Sequence, residues 1–144
     1  MTTRSQSRPI ACALTILVAA LAGSQDVTRA QDNPQLTRPQ AAMVTDLGNL
    51  SDKFVGLARV MAGKYDWRPG PGVRSVADVL NLIVMENRML AGLSADDLNA
   101  SVKLFGRDTT KQGAAFIMLM DQHEHLGQSI AYARTNAIVP PWSK

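Results

Sequence analysis

The sequence predicts an all-α protein, and three observations carry that expectation. Apolar residues recur at steps of three and four through long stretches, helix-capping residues stand where those stretches begin, and neither strand-like alternation nor an internal repeat is visible. The first such stretch places Met43, Leu47, Leu50, Phe54, Leu57 and Met61 on one stripe, which predicts an amphipathic helix over 41–61 closed by Gly63. Ahead of it, residues 31–40 are polar, contain Pro34 and Pro39, and read as a flexible lead-in.

Tyr65 to Ser75 includes Pro69, Gly70, Pro71 and Gly72 in succession and is excluded from a helix. Trp67 within it is expected to cover the core. Ser75 then offers a capping hydroxyl with Asp78 three residues later, the spacing of a capping box. The second helix, to about Leu90, carries Val76, Val79, Leu80, Leu82, Ile83, Met85, Met89 and Leu90. So wide an apolar surface predicts packing against more than one neighbour, and Gly92 stops the helix. Ser94 to Asp97 repeats the start signal for a short helix over 98–102 that ends at Gly106. Asp108, Thr109 or Thr110 caps a final helix to about Asn136, beyond which Pro140 and Pro141 forbid continuation.

The start of the chain has a different character. Arg4 and Arg8 precede an apolar centre over 10–22 and then small residues, the layout of a cleaved secretory leader. Thirteen residues fall short of the roughly 20 that a spanning helix needs. Cleavage after Ala22 or after Ala30 fits, and Ala30 is preferred because Gln31 then opens a polar terminus. The expected division is a signal peptide over 1–30, the lead-in over 31–40 and one helical domain over 41–144. The expected location is periplasmic or extracellular, with no stable membrane anchor after cleavage.

Cys12 is the only cysteine and lies in the leader, so the mature chain is expected to have no disulfide, thiol nucleophile or thiolate ligand. From Gln31 onward 12 Lys and Arg face 11 Asp and Glu, a net charge of +1. Basic residues stand singly and aromatics are few, which argues against a nucleic-acid partner. No Ser/His/Asp set and no phosphate-cradling loop is present.

Chemistry concentrates in the last helix. His123 and His125 lie roughly 200° apart around a helix and cannot share a ligand. Asp121, His125, Gln128 and Tyr132, at steps of four, three and four, do share a face. Ile117 and Ala114 on that side suggest that it turns inward. A buried carboxylate, imidazole, amide and phenol need partners, which a metal ion, a water network or a substrate would supply. The plainer expectation is an Asp121–His125 pair, with His123 and Glu124 in solvent. Glu86 on the second helix is the nearest candidate for a third ligand, and the donor set suits zinc, nickel, manganese or iron. Met85, Met89, Met118 and Met120 are expected to fill core gaps rather than bind copper.

Three segments carry a family resemblance: Trp67-Arg-Pro-x-x-Gly-Val-Arg-Ser-Val, Lys103-Leu-Phe-Gly-Arg-Asp, and Glu124-His-Leu-Gly-Gln-x-Ile-Ala-Tyr-Ala-Arg-x-Asn-x-Ile-Val-Pro-Pro-Trp-Ser. Together they resemble the DinB-like (DinB/YfiT) metalloenzyme family, in particular its exported members. The resemblance implies a four-helix bundle holding a divalent metal by three histidines, and metal-dependent hydrolase or thiol-dependent transferase chemistry on a small-molecule substrate. DNA binding is not implied.

Carried onto this chain, the ligand positions fall on Leu82, Asp121 and His125, of which only His125 is histidine. Asp121 retains a ligating oxygen, Leu82 does not, and Glu86 stands one turn away as a substitute. The family's long third helix is also missing, since only Ala91, Gly92 and Leu93 separate Leu90 from Ser94. The bundle is thus expected to be shortened by one long helix. Two functions follow as expectations. In one, His125 and Asp121 serve as ligands, with Glu86, or as an acid/base pair. In the other, the chain is a non-catalytic binding or interaction module, a homodimer for instance, with Leu82 and Met85 lining a dry groove.

Overall fold

The computed structural model describes residues 36–143; the signal peptide assigned to 1–30 and residues 31–35 of the lead-in lie outside them. Three long helices dominate: α1 (Arg38–Val60), α2 (Val76–Ala91) and α3 (Lys111–Thr135). The described residues are mostly helical, with one small two-stranded sheet among them.

α1 begins at Arg38, inside the expected lead-in. Thr37 donates its backbone N–H to Gln40 Oε1 at 2.8 Å, and Pro39 sits in the first turn, where a missing N–H costs no hydrogen bond. Proline read as a helix breaker is here a helix starter. α2 has the capping box expected of it. Ser75 N–H donates to Asp78 Oδ2 at 2.8 Å, and Asp78 N–H donates back to Ser75 Oγ at 3.1 Å. The Ser75 backbone N–H, and after it the Ser75 hydroxyl, hold the Asp78 carboxyl below its ordinary range. Ser75→Ala is expected to destabilise the protein by about 1 kcal/mol, and Ser75→Thr by much less, in urea unfolding. Equal losses in the two variants would argue that the buried volume of Ser75 matters, not its cap.

The segment between α2 and α3 corrects the all-α expectation. The short helix expected over 98–102 is absent: a single 3₁₀ turn spans Ala95–Asp97, and an antiparallel hairpin follows, with β1 (Ser101–Leu104) paired to β2 (Arg107–Thr110). Phe105 and Gly106, at φ 50° and 78°, form its two-residue loop. Two consecutive positive φ values match the right-handed strand twist, and glycine supplies the second without strain. Gly106 is therefore a hairpin turn and not a helix stop. The alternation that marks β1 lasts four residues, with Val102 and Leu104 half-buried between exposed neighbours.

Pairs along the helices set their directions. Gln40 meets Gln112 and Asp46 meets His123, so α1 and α3 run parallel; Asn87 meets Gln122 and Arg74 meets Tyr132, so α2 runs antiparallel to α3. The hairpin returns the chain to the end where α3 must start. Leu50, Phe54 and Leu57 from α1, with Met61 at its C-cap, pack with Val79 and Ile83 from α2 and with Leu119, Leu126 and Ala133 from α3. Trp67 covers this core as expected, its ring edge-on to Tyr132 with centroids 5.2 Å apart. After α3, Pro141 and Trp142 lie against Gly56, where an added Cβ would stand 3.4 Å from Pro141 Cγ.

Other expectations are corrected on the outer surface. Met85, Met89 and Met120 are not core fillers, and Met85 is 51% exposed. Ile117 is exposed as well, although Ala114 beside it is buried. The apolar surface of α2 is wide, but no helix covers its far side among the described residues. An apolar recess lies away from Leu82 and Met85, bounded by Leu57, Met61, Val76, Leu80, Ser129 and Tyr132. No described helix is long and apolar enough to cross a membrane.

Candidate functional site

α2 and α3 bring the three candidate residues together. Antiparallel packing sets Glu86 of α2 beside Asp121 and Gln122 of α3, and the helical step of four places His125 over Asp121. His125 Nε2 lies 3.4 Å from Asp121 Oδ2. The His125 side chain is 12% exposed and that of Asp121 42%, so the pair opens to solvent on the Asp121 side. Glu86 is buried at 6% exposure.

Burial of the Glu86 carboxyl, followed by the hydrogen bond and the charge of Asp121, pushes its pKa up to about 7, against opposing effects of Gln122 and Arg74. A carboxyl buried beside a second carboxylate ionises less readily, so Glu86 keeps its proton toward neutrality. The Glu86 Oε2 atom has no hydrogen-bond partner, and neither has Gln122 Oε1. Both are buried acceptors in one neighbourhood, and a shared proton or a cation is what such a pair calls for.

The cluster is embedded in a polar line that crosses all three helices. On one side, Gln122 Nε2 donates to Asn87 Oδ1 at 2.9 Å, and Asn87 Nδ2 donates to Ser51 Oγ of α1 at 3.3 Å. On the other, His125 Nδ1 meets Gln128 Oε1 at 2.7 Å, and Gln128 Nε2 reaches the Tyr132 hydroxyl at 2.6 Å. The expected stripe of Asp121, His125, Gln128 and Tyr132 is thus one connected network.

Gln122, Asn87 and Ser51 were not singled out by their sequence. A signal for Gln122 exists: it sits three residues after Leu119 and four before Leu126, on the centre line of the buried face, and it is fully buried. The expected solvation of His123 is half met. Its Nε2 pairs with Asp46 Oδ2 of α1 at 2.7 Å while the ring stays half exposed; Glu124 is exposed.

The standard trihistidine set does not fit this chain. Leu82 supplies no donor atom, and among the described residues no three His, Cys, Asp or Glu side chains are arranged to hold a metal ion. The donor chemistry of Glu86, Asp121 and His125 does suit one, with two carboxylates, an imidazole and a buried oxygen lacking a donor. In comparisons with known proteins, no family model, no curated sequence and no solved structure matches this chain.

Proposed function

We propose that this chain is an exported, DinB-like helical protein that binds a divalent cation at a non-standard site made by Glu86, Asp121 and His125. The observation that carries the reading is the pair of buried, donorless oxygens, Glu86 Oε2 and Gln122 Oε1, with Glu86 against Asp121 and Asp121 in turn 3.4 Å from His125 Nε2. A cation there compensates two acidic side chains at once and replaces the proton that the carboxyl pair otherwise keeps. Asp121 is the more exposed member, so its side chain would be the freest of the three to reach an ion. When bound, the ion supplies Lewis acidity toward a water or thiol, the chemistry of hydrolysis or thiol transfer on a small molecule. Glu86 and Asp121 provide the charge, and His125 provides the softer nitrogen donor.

Equilibrium dialysis of the mature protein against zinc, nickel and manganese tests this reading. About one ion per chain in the wild type, lost in His125→Ala while the helical circular dichroism is retained, is the expected result. A folded wild type that retains none of the three ions would overturn it.

A second reading keeps the carboxyl pair as a purely structural, proton-sharing contact and makes the chain an interaction module. The exposure of Met85, Met89, Ile117 and Met120 favours it. It predicts no retained ion and an assembly larger than a monomer in sedimentation.

A further inference from the structure

The hydrogen bonds that end at His125 have a donor order fixed from one end. The Arg74 carbonyl only accepts, so the Tyr132 hydroxyl gives it its single proton, at 2.9 Å. The hydroxyl oxygen then accepts from Gln128 Nε2 at 2.6 Å. Gln128 Oε1, an acceptor only, is thereby turned to His125 Nδ1 at 2.7 Å, and that nitrogen must carry the proton. The reverse amide orientation would set Gln128 Oε1 against a hydroxyl oxygen whose proton is already committed to Arg74.

We infer that Gln128 and Tyr132 are positioning residues that hold neutral His125 in the Nδ1–H tautomer, leaving its Nε2 lone pair directed toward Asp121. The inference deepens the cation-binding reading and rests on it for its purpose. An imidazole ligates through an unprotonated nitrogen, and support through the opposite N–H fixes the tautomer and ring orientation of ligating histidines. The anchor is a backbone carbonyl at the entrance of α2, so the loop before α2 and the middle of α3 are joined through the ring.

The chain's other histidine provides the contrast. His123 Nε2 lies 2.7 Å from Asp46 Oδ2, a carboxylate oxygen, so neutral His123 carries its proton on Nε2. The two histidines of this chain are therefore assigned opposite tautomers.

Long-range ¹H–¹⁵N correlation spectra of labelled, metal-free protein at about pH 9, where imidazoles are neutral, read both tautomers directly. Expected are the Nδ1–H pattern for His125 and the Nε2–H pattern for His123. In Gln128→Leu, His125 changes to the Nε2–H form and donates to Asp121, while His123 is unchanged and so reports an intact α1–α3 contact. Gln128→Glu, which keeps an acceptor oxygen, retains the Nδ1–H form of His125. An Nε2–H pattern for His125 in the wild type, or an Nδ1–H pattern that persists in Gln128→Leu, overturns the inference. The spectra contain no metal, so loss of cation binding in a separate titration would sink the functional reading alone. If the cation binds, Gln128→Leu lowers its affinity by about 10–100-fold.

Discussion

Leu50→Ala is expected to lower the unfolding free energy by about 2–5 kcal/mol, a large part of the roughly 5–15 kcal/mol that a small domain possesses. Leu50 lies in the middle of α1, is 1% exposed and belongs to the central apolar cluster. Truncation forfeits the transfer energy of the removed carbons and leaves a cavity that three packed helices close only in part. The next residue, Ser51, carries the α1 end of the polar line through Asn87 and Gln122, so the neighbouring backbone has little freedom to collapse inward. Urea denaturation of the wild type and variant checks this. A loss below about 1 kcal/mol would mean that α1 is loosely held and that the core is not centred on it.

Glu86→Gln is expected to flatten the pH dependence of stability in the metal-free protein. The folded state holds the Glu86 proton more tightly than the unfolded chain does, with a pKa raised from 4.5 to about 7. A raised acid pKa means that the folded state binds more protons between those values, so stability falls as pH rises through this window. The contribution is full below about 4.5, and it is lost once pH passes about 7. Solvent at the Asp121 side chain screens the pair, which brings the loss to about 1–2 kcal/mol. Glutamine fills the same space and never ionises. Unfolding midpoints at about pH 5 and pH 8, with a chelator present, should therefore diverge in the wild type and stay closer together in Glu86→Gln. Parallel profiles would show that Glu86 does not hold the proton. Asp78 acts in the opposite sense and at lower pH, because its depressed pKa gives stability that is lost on acidification.

The long helices were legible because their signals, a repeating apolar stripe for α1 and capping residues for α2 and α3, are local properties of the chain. Ser75 and Asp78 announce α2, and Met43 to Met61 announce α1, without reference to anything distant. The hairpin was not legible for a related reason. Four residues per strand give too short an alternation to stand out, and Gly106 is equally suited to ending a helix and to turning a hairpin. Exposure on α2 was misread because periodicity reports which residues share a face and not whether a neighbour covers it. Met85 and Met89 look like core residues only if a further helix is assumed.

The candidate site shows the same division. Asp121, His125, Gln128 and Tyr132 share a face by arithmetic, and the structure links the last three by hydrogen bonds and sets Asp121 3.4 Å from His125. That Glu86 lies against Asp121 depends on the antiparallel register of α2 and α3, which no local signal encodes. Gln122 escaped notice because a polar residue on a buried stripe resembles an interruption of the pattern. Here it is the residue that joins the carboxyl pair to Asn87 and Ser51.

Glu86 separates this site from a trihistidine centre, so cation titration of Glu86→Gln beside the wild type tests the central claim most directly. Isothermal titration with manganese and zinc should show about one site per wild-type chain and an affinity at least about tenfold weaker in Glu86→Gln, with the variant folded. Equal affinity in the two proteins, or no binding by a folded wild type, would contradict a cation site built on Glu86, Asp121 and His125.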